Sequence, residues 1–332
     1  MKLVTISNFQ IPLLILYVYK SKRYLNDVDV YMFMVYTEIK EKNGRKYYYR
    51  VVSQRKGKSV GKKRIYMGAD LDKKTLFEKE ISADKELMLL STLLTEKEEK
   101  ELEKIRKEYL KFPKETRENR YESFISLFTY DSTNIEGNTL TLQETSQLLF
   151  ENITPRKSLR EINEAINHKK AFDFLMEYKK DISKDFILKL HELVVKETLK
   201  PELKKQIGKY RALQVYIRGV DWLPSKPDEV PKEMASLISW YKKNKNKIHP
   251  LILSAYFHSA FETIHPFVDG NGRVGRLLMN FILHSNNFPM INIPSKKKHI
   301  YYKALESSQV KGDLRPLLKS LFDLLKEEKN IF

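Results

Sequence analysis

The sequence predicts a mainly α-helical protein with a small, basic, β-rich region ahead of the helices, and three observations carry that expectation. Residues 161–178 and 185–196 repeat apolar side chains at helical intervals. The apolar runs 251–264 and 277–283 flank a short glycine-bearing stretch, which reads as helix, tight loop, helix. Residues 31–39 and 46–52, by contrast, are rich in aromatic and β-branched side chains, the composition of strands.

At 332 residues the chain exceeds the usual size of one domain. The expected division is a basic β-rich domain over 1–84, a helical connector over 85–120 and a helical domain over 121–332. A hydrophobic content of 42% is enough for a sizeable core. Lys and Arg total 61 against 43 Asp and Glu, a net charge of +18, which points either to acidic partners such as nucleic acid or to an ion-pair-rich surface. The absence of cysteine excludes disulfides and thiolate catalysis and suits a reducing cytoplasm. The apolar run 11–19 is too short to span a bilayer and lacks the flanks of a signal peptide, so no membrane role is expected. It reads as a buried strand or helix, or as sequence ahead of a later start at Met32 or Met34.

Along the chain, Asn43 and Gly44 supply a hairpin turn between the first two strand-like runs, and a third short run, 64–67, completes a meander. Between Arg45 and Arg64 lie nine Lys or Arg and no acid, interleaved with Tyr47, Tyr48 and Tyr49. That surface suits a nucleic-acid backbone with base stacking, or a charged edge that discourages strand pairing. Thr95 and Glu98 have capping-box spacing, and Leu102, Ile105, Tyr109 and Phe112 recur helically until Pro113. Ser132 and Glu136 share a helix face that Gly137 would end; on spacing alone this is an ordinary helix terminus. His168 and His191 fall on core helices as packing or capping residues. Gly208, Tyr210 and Arg211 lead into a strand-like segment at 214–218, closed by Gly219 and Pro224.

The stretch 265–276 concentrates the chemistry. Gly270, Asn271 and Gly272 precede a helix, where free backbone N–H groups and the positive end of the dipole favour an anion. Arg273 and Arg276 are three apart and so share a face that reaches outer phosphates. Asp269 adds a hard oxygen suited to Mg2+ beside a phosphate. His265, held by Pro266, is placed to take a proton from a hydroxyl. His258, Glu262 and His265 also share a helix face that raises a zinc-hydrolase reading, but further ligands are lacking and the arginines repel a cation.

These residues resemble the Fic family motif H-x-F-x-(D/E)-G-N-G-R-x-x-R at all eight specified positions. Ser132 to Gly137 is similar to the inhibitory motif (S/T)-x-x-x-E-(G/N) of Fic proteins that carry their own brake. The resemblance covers residues 121–332 and implies an orthogonal helical Fic core with a small β-hairpin flap. It implies a protein adenylyltransferase that moves AMP from ATP, with Mg2+, to a Ser, Thr or Tyr hydroxyl. His265 is then the base, Asp269 the Mg2+ ligand, and Gly270, Asn271, Gly272, Arg273, Gly275 and Arg276 the nucleotide site. Tyr302 and Gln309 lie where relatives contact adenosine, and Val215 and Ile217 on the flap would clamp the target chain as an added strand. Glu136, with Ser132, would engage Arg276 and occupy the space of the ATP γ-phosphate. Relatives with this glutamate in some cases also remove AMP, and some regulate it through homodimers. A second expectation is a nucleic-acid-associated regulator acting through residues 1–84.

Overall fold

The computed structural model describes residues 33–327 except 43, 57–58, 74, 81, 84–92 and 221. The run 11–19 and Met32 lie outside the described residues. The chain divides into two compact units, residues 1–87 and 88–332.

The described part of the first unit holds an antiparallel sheet in the order β1-β2-β3, with β1 Phe33–Lys42, β2 Arg45–Lys56 and β3 Ser59–Ala69, followed by helical residues at 75–80 and 82–83. Lys42 pairs with Arg45, which leaves a two-residue connection, and Gly44 supplies its positive φ of 75°. Tyr48 and Met67 pack with Ala83 in a small core. The basic band is partly paired: Arg45 meets Asp70 at 2.7 Å, Arg64 meets Glu38 at 2.7 Å and Arg50 meets Glu80 at 3.3 Å.

The second unit is helical. Its first helix, α1 (Glu96–Tyr109), starts in the capping box of Thr95 and Glu98 and buries Leu102, so the segment read as a connector packs into the core of this unit. There follow α2 (Arg117–Ile135), α3 (Leu142–Ser146), which runs into a π turn at Gln147–Glu151, α4 (Leu159–Glu177) and α5 (Lys184–Val195). Then come α6 (Val230–Asn244), α7 (Pro250–Ile264), α8 (Asn271–Ser285), α9 (Lys298–Lys311) and α10 (Arg315–Leu325). Among the described residues no helix is long and apolar enough to cross a membrane.

α7 and α8 form the centre of this unit and are buried almost all round, their polar side chains included. Leu251, Leu253, Phe257 and Phe261 on α7 and Val274, Leu277, Leu278 and Leu283 on α8 are fully buried. Each such side chain contributes roughly 1.5–3 kcal/mol over exposure. The loop that joins these two helices therefore hangs from a deeply buried pair.

One expectation is corrected. Residues 214–218, anticipated as a strand of a β-hairpin flap, carry no sheet ladder. The Arg211 guanidinium takes the carbonyls of Leu213 and Ser225, which a ladder would use, and Pro224 has no N–H to offer. The extended alternation survives without the ladder: Val215 and Ile217 are half-buried, Tyr216 and Arg218 exposed.

Burial holds several histidines neutral. It pushes His191 and His249 down to about 4 and His258 to about 3. An imidazole whose affinity for protons is lower folded than unfolded contributes stability above pH ~6.5 that is lost as the pH falls toward 4. The melting temperature is therefore expected to drop between pH 6.5 and 4, with a loss of roughly a few kcal/mol before the carboxylates titrate. A flat melting temperature across that interval in differential scanning calorimetry would refute this.

Candidate active site

The C-terminal end of α7 is where the site begins. His265 caps the helix in a left-handed conformation, φ 51°, while its N–H still donates to Phe261 O at 2.9 Å. The strain of that backbone is held from two sides. Arg211 donates from its own N–H to Pro266 O at 2.9 Å and from Nε to His265 O at 2.8 Å. Asn271 accepts the Phe267 N–H at 2.9 Å and donates to Phe267 O at 2.8 Å, closing the loop like a staple. Phe267 is buried and lies flat on the His191 ring, centroids 3.8 Å apart, and His191 in turn accepts the Gly208 N–H.

So fixed, the His265 side chain is 21% exposed, with Nδ1 3.3 Å from Glu262 O. Nδ1 has that carbonyl to donate to, which assigns the free lone pair to Nε2. Burial pushes the ring's pKa down to about 4, against a smaller upward pull from the Glu262 carbonyl. The imidazole is neutral at pH 7 and able to accept a proton.

The start of α8 is the other half. Gly270 turns the chain at φ 82°, and no side chain caps the helix, so its first N–H groups stay open. A Cβ at this position would lie 2.7 Å from Val195 Cγ1, so both conformation and space demand glycine. The Gly270 N–H itself is taken by Asp269 Oδ1 at 2.6 Å, and the Asn271 amide by Phe267. Of the expected anion hole, the glycine N–H and the asparagine side chain are thus structural, and the N–H groups of the first turn remain. Arg273 is buried, with Nη2 3.2 Å from Asp269 Oδ1. Its Nε and Nη1 have no hydrogen-bond partner. Unpaired guanidinium donors this deep are the mark of a site built for an anion.

Arg273 and Arg276 share a face of α8 but serve different partners. Arg276 donates from Nε to Ser132 Oγ at 3.0 Å, and from Nη2 to Ser132 O and to Glu136 Oε1, both at 2.8 Å. Burial works against its charge, and Glu136 together with Tyr301 and Tyr302 more than restores it. The glutamate lies directly over Gly272, where a Cβ would sit 2.0 Å from Glu136 Oε1. Gly275 faces the other way: its Cα meets Glu262 Oε1 and His258 Nδ1 on α7, which makes it a packing position between helices. Tyr302 brings its ring beside this group, hydroxyl 3.4 Å from Ile135 O, and Gln309, two turns on, is half-buried.

The zinc-hydrolase face does not assemble. His258 Nε2 sits 2.6 Å from the Tyr301 hydroxyl, and among the described residues no three His, Asp or Glu are grouped as metal ligands. Sequence reasoning missed three polar residues at the site. Arg160 Nη2 lies 3.3 Å from Asp269 Oδ2, Glu164 Oε1 lies 3.8 Å from Arg273 Nη1, and Asn138 donates to Glu164 Oε2 at 3.0 Å. The i, i+4 spacing of Arg160 and Glu164 was visible, but it looks the same on any solvated helix.

Residues 181–283 match the model of the Fic/DOC family. Over these residues, which hold the His265 to Gly272 loop, the chain is similar to the Fic/DOC family. Over 196 residues it is 34% identical to the protein adenylyltransferase Fic of Nematostella vectensis, covering 57% of this chain and 44% of that protein. Over 200 residues it is 34% identical to the protein adenylyltransferase fic-1 of Caenorhabditis elegans, covering 58% and 38%. The chain thus spans under half the length of the curated relatives it matches. Among solved structures, a fragment of C. elegans Fic-1 aligns at 27% identity and a TM-score of 0.60, covering 78% of this chain and 76% of the fragment. A Fic-domain-containing signaling protein from Bacteroides thetaiotaomicron aligns at 28% and 0.59, covering 70% and 92%. The Fic/DOC match takes in α5 to α8, whereas Ser132 and Glu136, which meet Arg276, precede it.

Gly270→Ala tests how tightly the Fic/DOC loop is packed. The positive φ and the Val195 contact together are expected to cost roughly 2–4 kcal/mol of unfolding free energy in a urea titration. A cost near zero would show that the loop relaxes freely.

Proposed function

We propose that this Fic/DOC domain is a protein adenylyltransferase, transferring AMP from ATP to a Ser, Thr or Tyr hydroxyl of a target protein and releasing pyrophosphate. The observation that carries the reading is the buried Arg273 guanidinium, with donors unpaired, beside an uncapped helix start and a neutral imidazole on one loop. The adenylyltransferase names of its relatives support it.

In this reading His265 Nε2 takes the proton of the target hydroxyl as that oxygen bonds to the α-phosphorus, and the bond to the bridging oxygen breaks to release pyrophosphate. The first-turn N–H groups of α8 and Arg273 stabilise the charge that develops on the phosphoryl oxygens. Asp269 offers a single, partly exposed carboxylate next to this anion site. That donor fits a magnesium ion held mainly by phosphate and water, which supplies charge neutralisation when bound. Tyr302 and Gln309 would receive the adenosine. Residues 214–218, extended and without a sheet partner of their own, leave Val215 and Ile217 able to clamp an added target strand. A chain without cysteine is in keeping with a cytoplasmic setting.

Glu136 is read as the brake. Its carboxylate holds the Arg276 donors that a γ-phosphate would otherwise use. Glu136→Gly is expected to raise AMP transfer from radiolabelled ATP by about tenfold or more, the factor that ~1.4 kcal/mol of competition removes. His265→Ala in that background should lower it by roughly 10²–10⁴-fold with the fold retained. Equal transfer by wild type and Glu136→Gly would remove the brake, and undiminished transfer by His265→Ala would remove the base.

A second reading concerns the first unit, where Tyr66 is 54% exposed beside Tyr47 and Tyr49 on a basic sheet. Nucleic-acid binding there predicts affinity that falls steeply with salt and is lost on deleting residues 1–84.

A further inference from the structure

Glu262 lies one turn before His265 on α7, is buried, and has no part in the chemistry above. Its Oε2 is 3.7 Å from His265 Nδ1, the nitrogen that also faces the Glu262 carbonyl. Its Oε1 has no hydrogen-bond partner, and neither has His258 Nδ1. Both atoms converge on the Cα of Gly275, where a Cβ would lie 2.4 Å from the first and 2.9 Å from the second. Glycine at 275 therefore makes room for a carboxyl between α7 and α8. The next residue on α8 is Arg276, the partner of Glu136.

We propose that Glu262 is a positioning residue for the base: its carboxyl sits behind the His265 ring and passes on to it the charge state of the Glu136–Arg276 pair. This rests on His265 being the base. In consequence the brake acts twice, once on the phosphate site through Arg276 and once on the imidazole through Glu262.

The electrostatics give the coupling its sign. Burial drives the Glu262 carboxyl toward its neutral form, to about 8; the Glu136 charge pushes the same way and Arg276 opposes. A neutral carboxyl gives an imidazolium no counter-charge, whereas a carboxylate at 3.7 Å stabilises it. Loss of the Glu136 charge favours ionisation of Glu262 and so strengthens the base. The other groups facing this point are His258 on α7, neutral through burial, and Tyr301 and Tyr302 on α9, whose phenols burial keeps protonated at pH 7. His265 also feels Arg211, which lowers its pKa, and Glu136 and Asp269, which raise it, each less than burial does.

The test follows the His265 ring ¹⁵N resonances of the full-length protein over roughly pH 6 to 9.5. Wild type is expected to show a step with its midpoint at about 8 as Glu262 ionises. In Glu136→Gly the midpoint should move down by roughly half a pH unit or more, and in Glu262→Gln the step should vanish. No step in wild type, an unmoved midpoint in Glu136→Gly, or a step retained in Glu262→Gln would each overturn the proposal. Should Glu262→Gln not fold, the comparison of wild type with Glu136→Gly decides alone. In the Glu136→Gly background, Glu262→Gln should abolish the rise in kcat through this interval with KM for ATP unchanged within about twofold. A uniform fall in kcat at every pH would instead indicate mere packing and overturn it. The resonances need no turnover, so absence of AMP transfer would sink the proposed activity while the ring titration still judges Glu262.

Discussion

Two arginines are buried three residues apart on one helix, and a buried guanidinium must find anions or acceptors. That constraint organises the second unit. Arg276 takes the end of α2, through Ser132 and Glu136, and ties it across to α8. Arg273 is only partly answered by Asp269 and stands beside Glu164, leaving donors unspent. One arginine is closed by the chain itself, and the other keeps donors without a hydrogen bond.

The three glycines of residues 265–276 serve three separate physical needs. Gly270 is required by a positive φ and by Val195, Gly272 by the carboxylate that crosses it, and Gly275 by Glu262 and His258 on the neighbouring helix. Only Gly272 lies against Glu136, and none acts simply by being flexible. The loop is rigid because α7 and α8 are buried almost all round and because Arg211 and Asn271 hold its backbone at both ends. A loop held at both ends keeps the imidazole close to the start of α8.

Acids and bases at the site are sorted by burial more than by their neighbours. Depth keeps His265 and Glu262 neutral at pH 7. Asp269, partly exposed, pairs with Arg160 and Arg273. In the first unit the same logic runs in reverse: Arg45 and Asp70 meet in solvent, where such a pair contributes little to stability.

The helices at 96–109, 159–177, 184–195 and 250–264, the capping box at Thr95 and the hairpin at Gly44 were legible in the sequence itself, because each rests on contacts within a few residues. The pairing of Glu136 with Arg276 was legible only through resemblance to a known motif, since the two are 140 positions apart. What the tertiary structure alone decided is which side chain answers which charge. It gave the Asn271 amide to Phe267, turned Gly275 toward Glu262, brought Arg160 to Asp269, and left 214–218 without a ladder beside the Arg211 guanidinium, which binds the Leu213 and Ser225 carbonyls. Local sequence sets what a residue is able to donate or accept; only packing brings distant helices close enough to settle who receives it.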